Sequence, residues 1–270
     1  MYAMDFEYDG QFLSDFGFII CKFGATNGMV TANAGMNITF NKVSQNKGRN
    51  FSLVSTQYDK CIQTTFDICK NPDIYDNKYM EITNDEYKSM MRWLNRHEFL
   101  KFQILDNDGR DACYYNASFN IEKITVGDIL YGLRLTMETD KPFGLGKTIT
   151  TSHIFTDITK PFIITASSDE IGSIFPMVTI TCVVDGDVIL RNEAEDCTML
   201  IRNCKAGEVI SIDNKNQILS TNYDSHDIAN DFNYEFFRIR NTYAVKTNKI
   251  YSSIQCKVEI KYEPIIKDMP

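Results

Sequence analysis

The sequence predicts a mainly β protein of two domains: a small N-terminal β-sheet domain with one α-helix over residues 1–146, and a C-terminal β-sandwich of jelly-roll type over 147–270. Three observations carry this. Short apolar runs rich in Phe, Ile, Val and Thr recur along the whole chain. Only one segment has a helical period, and near residue 146 Pro, Gly and small polar residues crowd together as at a domain joint. A length of 270 residues suits two domains of ordinary size.

Taken in order, "FEYDGQFLSDFGFIICKF" alternates around an Asp9-Gly10 turn and reads as two short strands. Residues 24–37, rich in Gly, Asn and Thr, form a loop, and strands follow at 36–43, 51–57 and 61–69, the last bounded by Asn71-Pro72. Thr83 followed by Glu86 is a capping box, because the hydroxyl and the carboxylate each satisfy an otherwise orphan amide. Tyr87, Met90, Met91 and Leu94 then fall at i, i+3, i+4 and i+7, one apolar stripe on a helix of about a dozen residues. A lone helix packs on a sheet, so the Met pair reads as core and Trp93 as the side chain that seats the helix. "FLKFQILD" and "CYYNASFNIEKI" are strands joined across Asn107-Asp108-Gly109, and "ILYGLRLTMET" is a further strand. Beyond the joint come "PMVTITCVV", "DVILRN", "TMLIRN", "EVISID", "QILST", "FFRIRN" and "SIQCKVEIKYEP". Asp185-Gly186 reads as a tight hairpin between Cys182 and Val188, and regularly spaced short strands of this kind build sandwiches.

Several chemistries lack their residues. Net charge is −8, divided evenly as −4 on each side of residue 146, with no basic cluster of the kind that holds phosphates. No apolar run is long enough to span a membrane, and the acidic N-terminus is unlike a signal peptide, so neither export nor membrane insertion is expected. The eight cysteines show no C-x-x-C spacing and read as free, mostly buried thiols; Cys61/Cys69 and Cys197/Cys204 are the pairs considered for oxidation after release from a cell. "GLGKT" at 144–148 has Lys141 where a phosphate-binding loop needs its first glycine, and an extended segment follows it. His97, His153 and His226 have no metal-ligand spacing, and no nucleophile elbow is present. Asp106, Asp108 and Asp111 resemble a cation loop, but Gly109 occupies a spacer position and the distal Glu is missing. Asp185/Asp187 and Glu193/Glu195/Asp196 are the carboxylates a glycosidase would need; around Gly186 they read as solvated turn residues. No catalytic residue, cofactor or metal ligand is assigned.

The opening "YDGQFLSDFGFII", the helix "EYKSMMRWLNR" leading into "FLKFQILDNDGRDACYYNASF", the junction "ETDKPFG" and the closing "FFRIRNTYAVKTNKIYSSIQCKVEIKYEPIIK" together resemble the distal tail protein family of long-tailed bacteriophages, nearly end to end. The resemblance implies an N-terminal belt domain of split-barrel type, a galectin-like C-terminal sandwich, and six copies closed into a ring at the tip of the tail. It implies as partners the major tail-tube protein on one face and the tail-associated lysin or hub protein on the other, with receptor-binding proteins outside, in a virion assembled in the host cytoplasm. Larger relatives carry an arm inserted in the outer domain; the 124 residues of 147–270 leave no room for one. DNA is expected to pass through the lumen without specific binding, which suits an acidic chain. The competing reading is a carbohydrate-binding sandwich that presents Tyr223, Phe232, Tyr234, Phe236 and Phe237; an enzyme using the acids of the second domain is the third.

Overall fold

The computed structural model describes residues 5–23, 37–75, 79–105 and 113–267. The chain divides into two compact units, 1–146 together with 266–270, and 147–265. The tail 266–270 thus groups with the first unit, although sequence alone assigns it to the second domain.

In the first unit, β1 (Asp5–Tyr8) and β2 (Gln11–Phe12) flank a turn in which Asp9 and Gly10 both have positive φ, 51° and 73°. That is the geometry of a type I′ hairpin turn. β3 (Phe18–Cys21), the hairpin strands β4 (Ile38–Gln45) and β5 (Asn50–Tyr58), and β6 (Gln63–Lys70) follow. Helix α1 (Asn84–Leu94) begins at Thr83, whose hydroxyl accepts the Glu86 amide at 3.3 Å while the Glu86 carboxylate accepts the Thr83 amide at 2.7 Å. β7 (Leu100–Leu105), β8 (Tyr115–Val126) and β9 (Ile129–Thr139) complete a seven-stranded sheet of order β2-β1-β7-β8-β9-β6-β3. The Asn107–Gly109 turn and Asp106, Asp108 and Asp111 lie outside the described residues, but β7 and β8 pair antiparallel, as a hairpin there requires.

The helix seats itself through Met90, Trp93 and Leu94, all buried. Trp93 stacks on Phe16 at 4.5 Å and Phe6 at 5.6 Å, and its Nε1 donates to the Tyr8 carbonyl at 3.1 Å. Indole burial and a satisfied N–H thus occur together, as a core tryptophan requires. β10 (Gly144–Leu145) bridges to Tyr114. A Cβ on Gly144 would come within 2.5 Å of Cys113 Sγ, so close packing accounts for the first glycine of "GLGKT", and a strand follows rather than a helix.

The second unit is a β-sandwich. One sheet has the order β11 (Ile149–Ile154), β21 (Cys256–Tyr262), β14 (Met177–Cys182), β17 (Val209–Asp213), β18 (Ile218–Thr221). The facing sheet runs β12 (Phe162–Thr165), β20 (Thr247–Ser252), β15 (Gly186–Asn192), β16 (Cys197–Cys204). β13 (Gly172–Ile174) pairs with β19 (Ile239–Asn241), and α2 (Ile228–Asp231) is a single turn. Val178, Ile180, Ile210, Ile212, Val258 and Ile260 of the first sheet meet Val188, Leu190, Met199, Ile201 and Ile250 of the second in the core.

One sequence expectation fails here. β14 and β15 do not pair; they lie in different sheets, so Val183–Asp185 crosses the sandwich instead of turning a hairpin. Both strands bury alternate residues, and alternation is the same whether the next strand joins the same sheet or the opposite one.

Candidate functional site

The carboxylates that the sequence offers as catalytic candidates do not converge, and their contacts are those of ordinary turns and sheet surfaces. Asp185 Oδ1 accepts the Ala206 amide at 2.8 Å and Oδ2 meets Lys205 Nζ at 3.2 Å, which holds its carboxyl below the usual range. Asp187 accepts the Asn203 amide, Glu193 meets Tyr251 and Lys249, and Glu195 accepts Ser173 Oγ at 2.8 Å. The five candidate aromatics split as well: Phe232 and Phe237 are buried in the core, Phe236 packs against it, and Tyr223 and Tyr234 are exposed. Only residues 239–241 of the expected "FFRIRN" strand are extended into a ladder. All eight cysteines are free. The neighbour of Cys69 is Cys21 and that of Cys204 is Cys182, in place of the partners that sequence spacing suggests. His97 is exposed at the helix end, and His153 stacks on Phe162 at 5.0 Å.

His226 is the titratable group whose setting sequence reading misses. Its side chain is 3% exposed, with Nδ1 2.6 Å from Glu208 Oε1 and Nε2 3.3 Å from Asp231 Oδ2. Burial pulls its pKa down, but the hydrogen bond and charge of Glu208 outweigh this and hold it above its ordinary value. Burial likewise pushes Glu208 up, and the bonds from Thr221 and His226 bring it below its ordinary value. The pair pins the loop before α2 to the start of β17. Among the described residues no cluster of three or more His, Cys, Asp or Glu is arranged to hold a metal ion, and no helix is long and apolar enough to cross a membrane.

The feature that asks for a partner is the hairpin β4–β5. Its strands pair only with each other among the described residues, and none of their described residues is buried. The chain reverses through residues 46–48, where Lys47 and Gly48 adopt φ of 56° and 83°. In an antiparallel ladder directly opposed residues share a face and successive residues alternate. The pairs Ile38↔Tyr58, Phe40↔Thr56, Lys42↔Leu53 and Ser44↔Phe51 therefore form one face. Thr39↔Gln57, Asn41↔Ser55, Val43↔Ser52 and Gln45↔Asn50 form the other. The register shifts after Asn41, leaving Val54 as an unpaired bulge residue.

One face is thus apolar and the other almost wholly amide and hydroxyl, yet the apolar side is open: Phe51 and Val54 are 65% exposed, Leu53 56% and Phe40 55%. At its base the hairpin is tied down by the Asp59 amide bonding to the Asn37 carbonyl at 3.0 Å and by Tyr58 set edge-on to Phe143 at 6.2 Å. It carries Lys42, Lys47 and Arg49 and no acid, in a chain of net charge −8. A two-stranded ribbon is marginal in water by itself, so one that presents such a face needs a surface to lie on. The signal was in the sequence, as period-two alternation in "ITFNKVSQ" and "NFSLVSTQY".

The family model for the phage tail protein N-terminal domain matches residues 1–141, and that for the phage tail C-terminal domain matches residues 143–262. No curated protein matches the chain. Among solved structures, the chain is similar to the crystal structure of SPP1 Dit (gp 19.1), described as a paradigm of the hub adsorption apparatus in phages that infect Gram-positive bacteria. The TM-score is 0.68 at 10% identity, over 96% of this chain and 98% of that one, a likeness of fold. With both of its domains matched, the chain belongs to the phage tail protein family.

Proposed function

We propose that the chain is a structural, non-enzymatic component of the tail tip, six copies of which close into a ring that joins the tail tube to the hub or tail-associated lysin. The observation that carries this reading is the hairpin β4–β5, an amphipathic ribbon whose apolar face, beyond Tyr58 at its base, lies open among the described residues. Closed rings use heterologous contacts, in which a projecting element of one copy lies on a different surface of the next. Fully burying a large apolar side chain stabilises by about 1.5–3 kcal/mol, so covering five that are already half-covered adds on the order of 5 kcal/mol per contact before association costs. The basic hairpin also faces acidic neighbours, since the rest of each copy carries the negative charge. The family match and the Dit-like fold support the same assignment. In this reading DNA passes through the lumen unbound, receptor-binding proteins attach outside the ring, and the chain is a virion component assembled in the host cytoplasm. The test is negative-stain electron microscopy of the purified chain at high concentration, averaged without imposed symmetry. Sixfold rings with an open centre are expected; single copies that stay apart even when co-expressed with the hub protein would sink the reading.

A further inference from the structure

Among the described residues, β11 is an outer strand of the second unit whose far edge nothing covers. β11 bonds only to β21, through six consecutive register pairs without a bulge. In an antiparallel pair, residues that exchange hydrogen bonds alternate with residues whose amide and carbonyl turn away. The Phe155 amide donates to the Cys256 carbonyl at 2.8 Å, which sets the phase: positions 149, 151 and 153 bond to β21, and the amides of Thr150, Ser152 and Ile154 point outward. The Ile154 carbonyl accepts from Thr156, but the three outward amides have no partner among the described residues.

Open edges are ordinarily blunted by charge, proline, a bulge or a covering segment. The opposite flank of the same sandwich shows such a cover. On β16, the Leu200 amide donates to Asn233 Oδ1 at 3.0 Å and the Thr198 amide to Glu235 Oε2 at 2.9 Å. The Leu200 and Thr198 carbonyls accept from the Asn233 amide and Nδ2. Nothing comparable protects β11 among the described residues. Residues 148–156, "TITTSHIFT", contain no Asp, Glu, Lys, Arg or Pro. β12, the next strand, lies in the facing sheet, is also uncharged, and is joined to β11 where His153 stacks on Phe162. Ile154 and Ile163 are exposed on this flank, and the buried Thr151 hydroxyl has no partner.

We propose that β11 is a docking edge for an extended, uncharged segment of another tail protein, which adds as a strand beside Thr150–Ile154. Main-chain bonds to the three outward amides give the attachment, and the absence of charge selects an uncharged strand. The inference rests on the tail reading only for the source of that segment. A second copy is the less suitable occupant: two identical edges paired with each other close as a two-fold and cannot continue around a ring.

Residue-resolved hydrogen exchange of the full chain, free and within tail particles, tests this. In the free chain Thr150, Ser152 and Ile154 exchange rapidly while Thr151 and His153 are protected by β21. In tails the outward three slow by at least about tenfold. Ser152→Pro removes one outward amide and no bond to β21, and edge strands accept proline. It leaves the free chain folded and lowers its incorporation into tails by about tenfold or more. Outward amides that exchange in tails as fast as in the free chain overturn the proposal, as does full incorporation of the proline variant. So does protection already present in the free chain, and protection that grows with the concentration of purified chain reassigns the edge to a second copy. Absence of the chain from tails removes the tail reading and this inference with it.

Discussion

Replacing Phe51 and Leu53 by threonine separates an assembly role of the hairpin from a folding role. Threonine is β-branched and keeps strand preference, so β5 persists. Both residues are more than half exposed in the single copy, at 65% and 56%, so little packing is lost there, and surface changes of this kind stay within about 0.5 kcal/mol. In a ring the same side chains are covered. Completing the burial of a phenylalanine and a leucine already about 40% covered is worth roughly 1–2 kcal/mol each, about 3 kcal/mol per contact, or a factor of about a hundred in association. In the proposed ring every copy would make two such contacts, so the closed ring is lost well before the chain unfolds. Mass photometry across a concentration series, with a melting curve of the same samples, reads both quantities. Unchanged rings, or a melting temperature that falls together with assembly, would refute the argument.

Other expectations follow from the same contacts. Trp93→Ala removes a stack on two rings and a satisfied indole N–H, and should cost about 3–5 kcal/mol, seen by calorimetry as a lower melting temperature of the first unit. Thr83→Ala loses the helix cap for about 1 kcal/mol, measurable by urea unfolding. For the second unit the pH dependence has two limbs. Because the folded His226 value is raised, its contribution is complete below about 6.5 and is lost as pH rises through the folded value. Because the Glu208 value is lowered, its contribution is complete above about 4.5 and is lost as pH falls. Melting of this unit should therefore weaken as pH rises above about 6.5 in the wild type and lose that limb in His226→Gln. Native maleimide labelling should modify Cys21, Cys61 and Cys69 well before the five buried thiols, and intact mass spectrometry counts them.

Local chemistry was legible in the sequence and tertiary partnership was not. The capping box at Thr83, the stripe that buries Met90 and Leu94, and the Asp9-Gly10 turn each depend on residues a few positions apart, and all three form. β4 and β5 were legible as strands, but alternation does not say whether the apolar side meets the chain's own core or another copy. The Asp185-Gly186 turn defeats sequence reading for a related reason, since the choice of sheet depends on β17 and β21, far along the chain. The pinning of His226 needs Glu208, 18 residues earlier, and no spacing rule points to it. Tyr223, Phe232, Tyr234, Phe236 and Phe237 read as one aromatic set, yet Phe232 and Phe237 turn inward because residues 232–238 run mostly without ladder bonds and period two does not apply.

The bulge in the hairpin works as a phase shifter. Counting by twos from Tyr58 along β5 reaches Thr56, Val54, Ser52 and Asn50, which alone would leave Leu53 and Phe51 on the polar side. The extra residue at Val54 advances the count by one, so that Leu53 opposes Lys42 and Phe51 opposes Ser44, in line with Ile38 and Phe40. Pairing Val54 with Lys42, with no bulge, would turn Leu53 and Phe51 to the polar side and cut the apolar stripe in two, whereas deleting Val54 would keep every facing pair of the present register. The adhesive length of the ribbon is thus set by one unpaired residue, through arithmetic and not through any contact that residue makes.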